Sequence, residues 1–261
     1  MGWVLIVGSL VVLWVASLCK ILRGSSSPSR SLFLNTGGAL PKRNVLLVVA
    51  HPDDESMFFS PTISYLTSRG HNLHVLCLSI GDADGKGDIR KEELHRACAI
   101  LKVPLQQVKI LDHPDLQDGF GRVWNHTLLA KIIEGEIINY GIDSIITFDN
   151  YGVSGHCNHR DVHYGVCSKF LHDTSQGTIE AWELVSTNIL RKYTGPLDIW
   201  LSILHAMQHS GEVMHCLLNE HPQKSFLAMA QHSSQWVWFR KLFVAFSSYT
   251  YVNTLRKIRR M

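Results

Sequence analysis

The segment from Val45 to Glu55 constrains the fold more than any other part of the chain, because an apolar run in it ends abruptly in polar residues. The run itself, Val45–Val49, is apolar at every position. Such a strand is typical of the centre of a parallel α/β sheet, where helices cover both faces. Pro52 cannot donate a hydrogen bond to a neighbouring strand, so the strand must end before it. The sequence therefore predicts a buried parallel strand followed by a polar loop.

That loop carries one histidine and three acids, at His51, Asp53, Asp54 and Glu55. In open α/β sheets, ligands bind beyond the carboxyl ends of the strands, which is where this loop begins. Neighbouring residues of an extended segment point to opposite sides, so one of Asp53 and Asp54 could ligate a metal while the other faces water or substrate. The alternative is that the acids only cap the helix that follows.

Apolar segments alternate with helical patterns through most of the remaining chain. Further strands are predicted at His74–Ile80, Val108–Leu111 and Ser144–Phe148, and helices at Ser56–Ser68, Ile89–Leu101, Val123–Tyr140 and Lys224–Gln231. Three later segments are expected to be strands or short helices: Trp182–Ser186, Ile199–Met207 and Val213–Leu218. This alternation implies parallel pairing with right-handed crossovers. The predicted class is therefore α/β, a Rossmann-like, mostly parallel sheet with flanking helices.

A second polar cluster, HCNHRDVH, begins at His156, shortly after the predicted strand Ser144–Phe148. If the segment is helical, His156 and His159 lie about one turn apart and face one side. Histidines with a carboxylate and a water suit a catalytic zinc site with one open position. The alternative is a pair of exposed or hydrogen-bonded histidines, and we expect His163, one turn further, to be packed or exposed rather than a ligand. Because both clusters follow strands, we expect them to meet at one edge of the sheet.

The amino terminus predicts a membrane anchor. Gly2–Cys19 has no charged side chain, and its length is near the roughly 18 residues needed to span hydrocarbon. The basic side chains begin with Lys20 and Arg23, after this run, which favours a retained anchor over a cleaved signal peptide and places the rest of the chain in the cytoplasm. We therefore divide the chain into a transmembrane anchor (1–22), a linker rich in Ser and Gly (23–42) and one domain (43–261).

Composition narrows the class of protein. The formal net charge of +3 gives no broad electrostatic footprint for nucleic acid. The 6 cysteines show neither a disulfide framework nor paired CxxC zinc motifs, which agrees with a reducing compartment. A glycosylation sequon at Asn125 provides a test of membrane orientation.

The carboxyl-terminal segment Trp236–Tyr251 mixes aromatic residues with Arg240 and Lys241. This composition suits a membrane interface at which a lipid-linked substrate presents its head group, but the same aromatics could fill the core. The basic residues that follow, from Arg256 to Arg260, could favour an anionic membrane leaflet or could simply be solvated.

With both histidine clusters in view, the chain resembles the PIG-L/LmbE-like de-N-acetylases. The resemblance rests on AHPDDE at Ala50–Glu55 and GHCNH at Gly155–His159. It is supported by HSSQ at His232–Gln235 and by a pattern of Gly81, Gly87, Arg90 and Glu93. It implies an LmbE-like α/β fold preceded by one transmembrane helix. The apolar amino terminus resembles the endoplasmic reticulum members rather than the soluble bacterial ones.

The resemblance also implies roles for individual residues. His51, Asp54 and His159 would bind Zn²⁺ or another divalent metal, Asp53 would be the general base, and His156, if protonated, would stabilise the oxyanion. Arg90 and Asp118 would contact sugar hydroxyls or a phosphate, while a structural hydrogen bond is expected of His232. One departure is Asn158, which stands where soluble relatives often have an acid, and its uncharged amide predicts weaker metal binding.

The implied function is a zinc-dependent amidohydrolase on the endoplasmic reticulum membrane, with its domain facing the cytosol. It would remove the acetyl group from N-acetylglucosaminyl-phosphatidylinositol, an early step of glycosylphosphatidylinositol (GPI) anchor synthesis. Spacing of the motifs alone implies only a metal-assisted hydrolase. Two alternatives remain open: deacetylation of a soluble acetamido sugar or conjugate, and a catalytically silent membrane-tethered scaffold.

Overall fold

The computed structural model describes residues 2–23, 42–119, 121–172, 179–209 and 211–259. Within these ranges seven strands form one sheet: β1 (Asn44–Val49), β2 (Asn72–Cys77), β3 (Val108–Ile110), β4 (Ser144–Phe148), β5 (Glu180–Leu184), β6 (Met214–Leu218) and β7 (Val252–Lys257). Their order is β3-β2-β1-β4-β5-β7-β6. The first five pair in parallel, whereas β7 runs antiparallel to β5 and β6. The predicted mostly parallel α/β class is thus confirmed.

Strand β1 lies between β2 and β4, with Val45 opposite Ser144 and Val49 opposite Cys77. Every residue from Val45 to Val49 is at most 1% exposed. This burial on both faces is what the unbroken apolar run predicts. Because β1 and β4 are parallel neighbours, the polar segments that follow them emerge at the same edge of the sheet.

The described helices are α1 (Gly2–Arg23), α2 (Asp54–Phe58), α3 (Ser60–Ser68), α4 (Gly87–Ile100), α5 (His126–Tyr140), α6 (Gly152–Gly155), α7 (Cys157–His172), α8 (Ile189–Lys192), α9 (Asp198–Gln208), α10 (Pro222–Gln231) and α11 (Trp238–Phe246). The three segments left open as strands or short helices fold as β5, α9 and β6. The helix expected at Ser56–Ser68 is instead two helices separated at Phe59. Pro61, in the first turn of α3, has no N–H to bond the preceding turn and so prevents one continuous helix.

Other predicted boundaries shift for local reasons. Helix α5 begins at His126 rather than Val123, because the Asn125 side chain caps it by accepting the Leu128 N–H at 3.0 Å. In α4 the predicted apolar position Ile89 is 56% exposed, whereas Arg90 is buried. The helix thus turns a charged side chain inward, toward the carboxyl edge of the sheet.

Helix α1 is long and apolar enough to cross a membrane, by length and composition. Its carboxyl-terminal end packs on the domain, where Ile21 is buried with Ile199, Tyr251 and Val252. The predicted linker, 23–42, lies outside the described residues except at its two ends. All six cysteines are free thiols, as the absence of a disulfide pattern predicts.

The aromatic side chains of the segment Trp236–Tyr251 differ in their exposure to solvent. Phe243, Tyr249 and Tyr251 are buried, whereas Trp238 and Phe239 are exposed. The core alternative is therefore confirmed for the three buried side chains, whereas the membrane-interface alternative stays a prediction for the exposed ones.

Candidate active site

The two polar clusters meet at the carboxyl edge of the sheet. His51 follows β1, His156 immediately precedes α7, and His159 lies in the first turn of α7, beyond β4. Ligand atoms of these three imidazoles all lie within 4.8 Å of one another. Asp54 joins them, with Oδ1 at 3.1 Å from His159 Nε2 and Oδ2 at 3.8 Å from His51 Nδ1. The arrangement offers three nitrogen donors and one carboxylate to a single cation.

His159 is held with one nitrogen turned toward the cluster. Its Nδ1 lies 3.1 Å from the carbonyl oxygen of Gly152, and its ring stacks on Phe148 with centroids 4.1 Å apart. A hydrogen bond from Nδ1–H to that carbonyl keeps Nε2 facing Asp54, where it is the ring nitrogen available to a metal. Histidine ligands of metals are commonly oriented in this way by the group bound to their other nitrogen.

His51 is oriented by the carboxylate of Asp118, for which the resemblance implies a different role, contact with the substrate. Its Nε2 lies 3.0 Å from Asp118 Oδ1 and 3.2 Å from Asn158 Oδ1, which leaves Nδ1 facing Asp54. Burial alone would lower the pKa of His51, but the hydrogen bond to Asp118 and the charges of Asp54 and Asp118 raise it. Asp118 thus supplies the charge that Asn158 lacks.

The Asp54 carboxylate is fixed by the loop it belongs to. Its Oδ2 accepts the backbone N–H groups of Ala50 at 3.0 Å and of His51 at 2.8 Å. Burial would raise the pKa of Asp54, but the positive charges of His159 and His51 and the hydrogen bonds it accepts hold that pKa well below its usual range. The carboxyl group is therefore an anion in this setting, as a metal ligand must be.

Asp53 and Val153 border the cluster with φ angles of 121° and 65°. Positive φ is unfavourable for residues with a Cβ and is found mostly where the surrounding structure enforces it, often at functional sites. At Asp53 the enforcing contact is visible, since its backbone N–H donates to Glu55 Oε2 at 3.1 Å. The backbone at Asp53 is therefore not extended as predicted, and the two adjacent carboxylates have different partners because of this turn: Asp53 meets guanidinium groups and Asp54 meets imidazoles.

Two guanidinium groups hold the Asp53 carboxylate. Arg90 Nη2 lies 3.5 Å from Asp53 Oδ2, and Arg240 donates a hydrogen bond to the same oxygen. Arg240 belongs to α11, and its separation from Asp53 by 187 residues explains why no sequence pattern paired them. The sequence predicts for Arg240 only a position in a segment that suits a membrane interface or the core.

Arg90, which the resemblance predicts to contact substrate, makes its hydrogen bonds mainly to other groups of the protein. It donates to the carbonyl oxygens of Gly81 at 2.8 Å and Pro52 at 2.6 Å, and its Nη1 lies 3.6 Å from Asp118 Oδ2. A side chain at Gly81 would place its Cβ 2.5 Å from Arg90 Nη1. The paired glycine and arginine of the motif therefore reflect close packing behind the carboxylates.

His156 faces the same space from the start of α7. Its ring centroid lies 4.9 Å from those of both His51 and His159. Burial and the positive charges of His159 and His51 lower the pKa of His156 to about 4. The imidazole is therefore neutral at pH 7, which differs from the protonated form considered from sequence, and it can act as a neutral N–H donor or as a nitrogen ligand.

The HSSQ motif, His232–Gln235, supports the site through contacts with Glu55 and Glu93. His232 Nε2 lies 2.7 Å from Glu55 Oε1, and both side chains are fully buried. Burial would lower the pKa of His232, but the charge of Glu55 and the hydrogen bond to it raise that pKa. The side chains of Ser233 and Ser234 donate to Glu93. Since Glu55 also accepts the Asp53 N–H, this motif anchors the loop that carries the acids.

Comparison with known proteins agrees with this geometry. The profile of the family described as PIG-L, GlcNAc-PI de-N-acetylase, matches residues 46–169. The chain is 38% identical over 221 residues to the probable N-acetylglucosaminyl-phosphatidylinositol de-N-acetylase of Schizosaccharomyces pombe, covering 84% of this chain and 88% of that protein. It is 37% identical over 210 residues to the N-acetylglucosaminyl-phosphatidylinositol de-N-acetylase of Bos taurus, covering 80% and 81%.

Among solved structures, the N,N'-diacetylchitobiose deacetylase of Pyrococcus horikoshii has the same fold. The TM-score is 0.60 at 13% identity, covering 93% of this chain and 92% of that one. Such a likeness establishes the fold, whereas the curated relatives establish the family. The resemblance carried by the two histidine motifs is confirmed, and the chain belongs to the PIG-L family of GlcNAc-PI de-N-acetylases.

Proposed function

We propose that this protein is a metal-dependent deacetylase acting on N-acetylglucosaminyl-phosphatidylinositol. The reaction would hydrolyse the acetamide to acetate and glucosaminyl-phosphatidylinositol, early in GPI anchor synthesis. One observation carries the proposal: Asp54 and His159, which are 105 positions apart in the sequence, approach within 3.1 Å at the carboxyl edge of the sheet, beside His51 and His156. The substrate proposed is the lipid named for the relatives in Schizosaccharomyces pombe and Bos taurus.

The donor set fits a divalent metal such as zinc. His51 Nδ1, Asp54 and His159 Nε2 would hold the ion, with His156 near enough to be a further ligand. The orienting contacts of Asp118 on His51 and of Gly152 on His159 are those expected around a bound metal. When bound, zinc would lower the pKa of a coordinated water to about 7 and polarise the acetamide carbonyl.

The chain's own residues would do the remaining chemistry. Asp53 would accept a proton from the attacking water and return it to the leaving amine. Arg90 and Arg240 would keep the Asp53 carboxylate in position during both transfers. His156, neutral at pH 7, would donate an N–H hydrogen bond to the oxygen that becomes negative.

We propose further that residues 1–22 anchor the protein in the endoplasmic reticulum membrane as a single span, with residues 43–261 as the catalytic domain on the cytosolic side. Support comes from the apolar α1 and from the basic residues that follow it. Asn125 is exposed and would be open to glycosylation on the lumenal side. A glycan at Asn125 in the intact membrane protein would contradict the cytosolic orientation.

The deciding experiment measures acetate release by the purified full-length protein in detergent. N-acetylglucosaminyl-phosphatidylinositol and free N-acetylglucosamine are compared, each before chelation, after it, and after zinc is restored. We expect chelator-sensitive release from the lipid that far exceeds release from the sugar. Release from the sugar alone would favour a soluble-substrate deacetylase, and no release from either would favour a silent scaffold. Asp53→Asn serves as the inactive control.

A further inference from the structure

Helix α11 has an apolar face that is open to solvent. Trp238, Phe239, Leu242 and Phe246 are 72%, 54%, 49% and 47% exposed. At 3.6 residues per turn these positions fall within about 100° of one another around the helix. Val244, on the other side of the helix, is buried in the core. A short helix that is apolar on both sides needs a second apolar environment besides the protein interior.

Helix α9 exposes a similar stripe. Trp200, Leu201, Leu204 and Met207 are 47%, 40%, 50% and 71% exposed. They stand at positions i, i+1, i+4 and i+7, which share one helix face. We call the eight exposed side chains of α9 and α11 the apolar collar.

The apolar collar adjoins the candidate membrane span. Trp200 Nε1 donates to Ser17 Oγ of α1 at 3.0 Å, and Lys20 Nζ lies 3.8 Å from the Trp200 ring centroid. Near the end of α11, a Cβ at Gly195 would lie 3.0 Å from Trp14 Nε1 and 3.5 Å from the Phe246 carbonyl oxygen. One end of each stripe therefore lies where the domain touches α1.

These contacts set the depth of the collar. Ser17 lies inside the apolar span Gly2–Leu22, five positions before its end. At 1.5 Å per residue, that is about 7.5 Å along the helix. If α1 crosses a bilayer, Trp200, which is hydrogen-bonded to Ser17, therefore lies close to the hydrocarbon boundary.

We propose that the apolar collar is immersed in the interface of the bilayer that α1 crosses, so that α9 and α11 lie in one leaflet beside the anchor. Continuity with α1 selects lipid as the occupant, because a surface held against a membrane span already faces the membrane. Interfacial helices bury their apolar face in this manner, with cations near the head groups. Lys241, exposed on α11, and Lys20 would be such cations.

The inference rests on the proposed function and deepens it. Arg240 leaves α11 on the side away from the lipid-facing stripe and bonds to Asp53. The catalytic acid would then lie about one helix diameter, roughly 10 Å, from the membrane surface. A substrate could keep its acyl chains in the bilayer while its sugar reached Asp53, which explains why a lipid rather than a soluble sugar would be preferred.

The first test compares membrane-bound with water-soluble substrate. Trp238→Ser combined with Leu242→Ser removes apolar surface from the collar, and Leu105→Ser combined with Ile138→Ser removes exposed apolar surface elsewhere (58% and 73% exposed). Full-length proteins in vesicles are assayed on N-acetylglucosaminyl-phosphatidylinositol with long acyl chains and with short, water-soluble ones. We expect the collar variant to lose at least about tenfold of its kcat/KM on the long-chain substrate only, and the control to keep both activities.

An equal loss of kcat/KM on both substrates, or no loss on either, would overturn the proposal that the apolar collar contacts the bilayer. If the wild-type protein hydrolyses neither substrate, the proposed function fails instead. A second test, which needs no enzymatic activity, then decides whether the apolar collar lies in the bilayer interface.

That second test measures tryptophan fluorescence in vesicles of brominated and unbrominated phosphatidylcholine. Full-length wild type is compared with Trp238→Phe and with the control Trp182→Phe, whose side chain is buried in the sheet. We expect the fraction quenched by bromine to fall in Trp238→Phe and to stay unchanged or rise in the control. An unchanged fraction in Trp238→Phe would overturn the proposal. So would the absence of bromine quenching of Trp238 together with evidence, in detergent, that a second copy of the chain covers this side chain.

Discussion

Asp53 differs from its neighbour Asp54 in every contact that matters for chemistry. Asp54 faces two imidazoles, whereas Asp53 faces two guanidinium groups. We expect Asp53→Asn to keep bound metal and to lose about 10²- to 10⁴-fold in kcat, the range for removal of a general base. Asp54→Ala should lose metal as well. Metal analysis of the purified variants together with kcat checks both; near-normal turnover in Asp53→Asn would refute its assignment as the base.

Asp118 was expected at the substrate, but its contact with His51 suggests that it positions a metal ligand. We therefore expect Asp118→Asn to weaken metal affinity by about 10- to 100-fold, the usual effect of losing an orienting partner, with KM nearly unchanged when metal is saturating. Competition with a chromogenic chelator measures the affinity. A raised KM with normal metal affinity would instead favour the substrate contact inferred from sequence.

At the scale of single elements, the turn from β4 into α7 decides where the histidines point. Gly152 has φ of +68°, and a Cβ there would lie 2.8 Å from the Cβ of His159. No larger residue fits without moving the start of α7. The element therefore depends on one glycine to bring His159 toward Asp54.

We expect Gly152→Ala to reduce both metal content and turnover, because the added methyl group displaces His159. Gly85→Ala is the matched control, since Gly85 has φ of +69° and nothing within 4 Å of its added Cβ. Both variants carry the same backbone strain, of order 1–3 kcal/mol, and only the first carries the clash. Equal loss of metal in both would show that strain alone, and not the contact with His159, is responsible.

At the scale of the whole molecule, the Glu55–His232 pair links the loop after β1 to the end of α10, 177 residues away. The pKa of His232 is raised in the folded protein, so its stabilisation is fully present below its ordinary value of 6.5 and is lost as pH rises through the raised value. Breaking a buried pair by removing one partner costs about 3–5 kcal/mol.

We expect His232→Asn to lower the free energy of unfolding at pH 6, and the difference from wild type to shrink as pH rises. Denaturant titrations of the detergent-solubilised protein between pH 6 and 9 measure this. His95→Asn, on α4 and outside the Glu55–His232 contact, is the control for replacing a histidine. A difference that grows with pH would contradict the direction of the pKa shift.

Local patterns made much of this structure predictable. The apolar run of β1 and the polar loop after it are adjacent in the chain, so burial and loop chemistry could be inferred from neighbouring residues alone. The break at Phe59 is not predicted by the amphipathic pattern of Ser56–Ser68, because Pro61 outweighs that pattern. Arg240 was missed for a different reason: a hydrogen bond across 187 residues leaves no local trace.

By itself the sequence determined the alternation of strands and helices from β1 to β4, the central position of β1, and the presence of two histidine clusters after strands, since these follow from periodicity and from the geometry of parallel sheets. The sequence predicts no strand at β7 (Val252–Lys257), and it leaves the segments of β5, α9 and β6 undecided between strand and helix. Only the tertiary structure decided that Asp118 orients His51, that Arg240 reaches Asp53, and that α9 and α11 leave apolar faces beside α1. Those outcomes depend on how distant elements pack against one another, and the free energy of packing is a property of the assembled chain rather than of any segment in it.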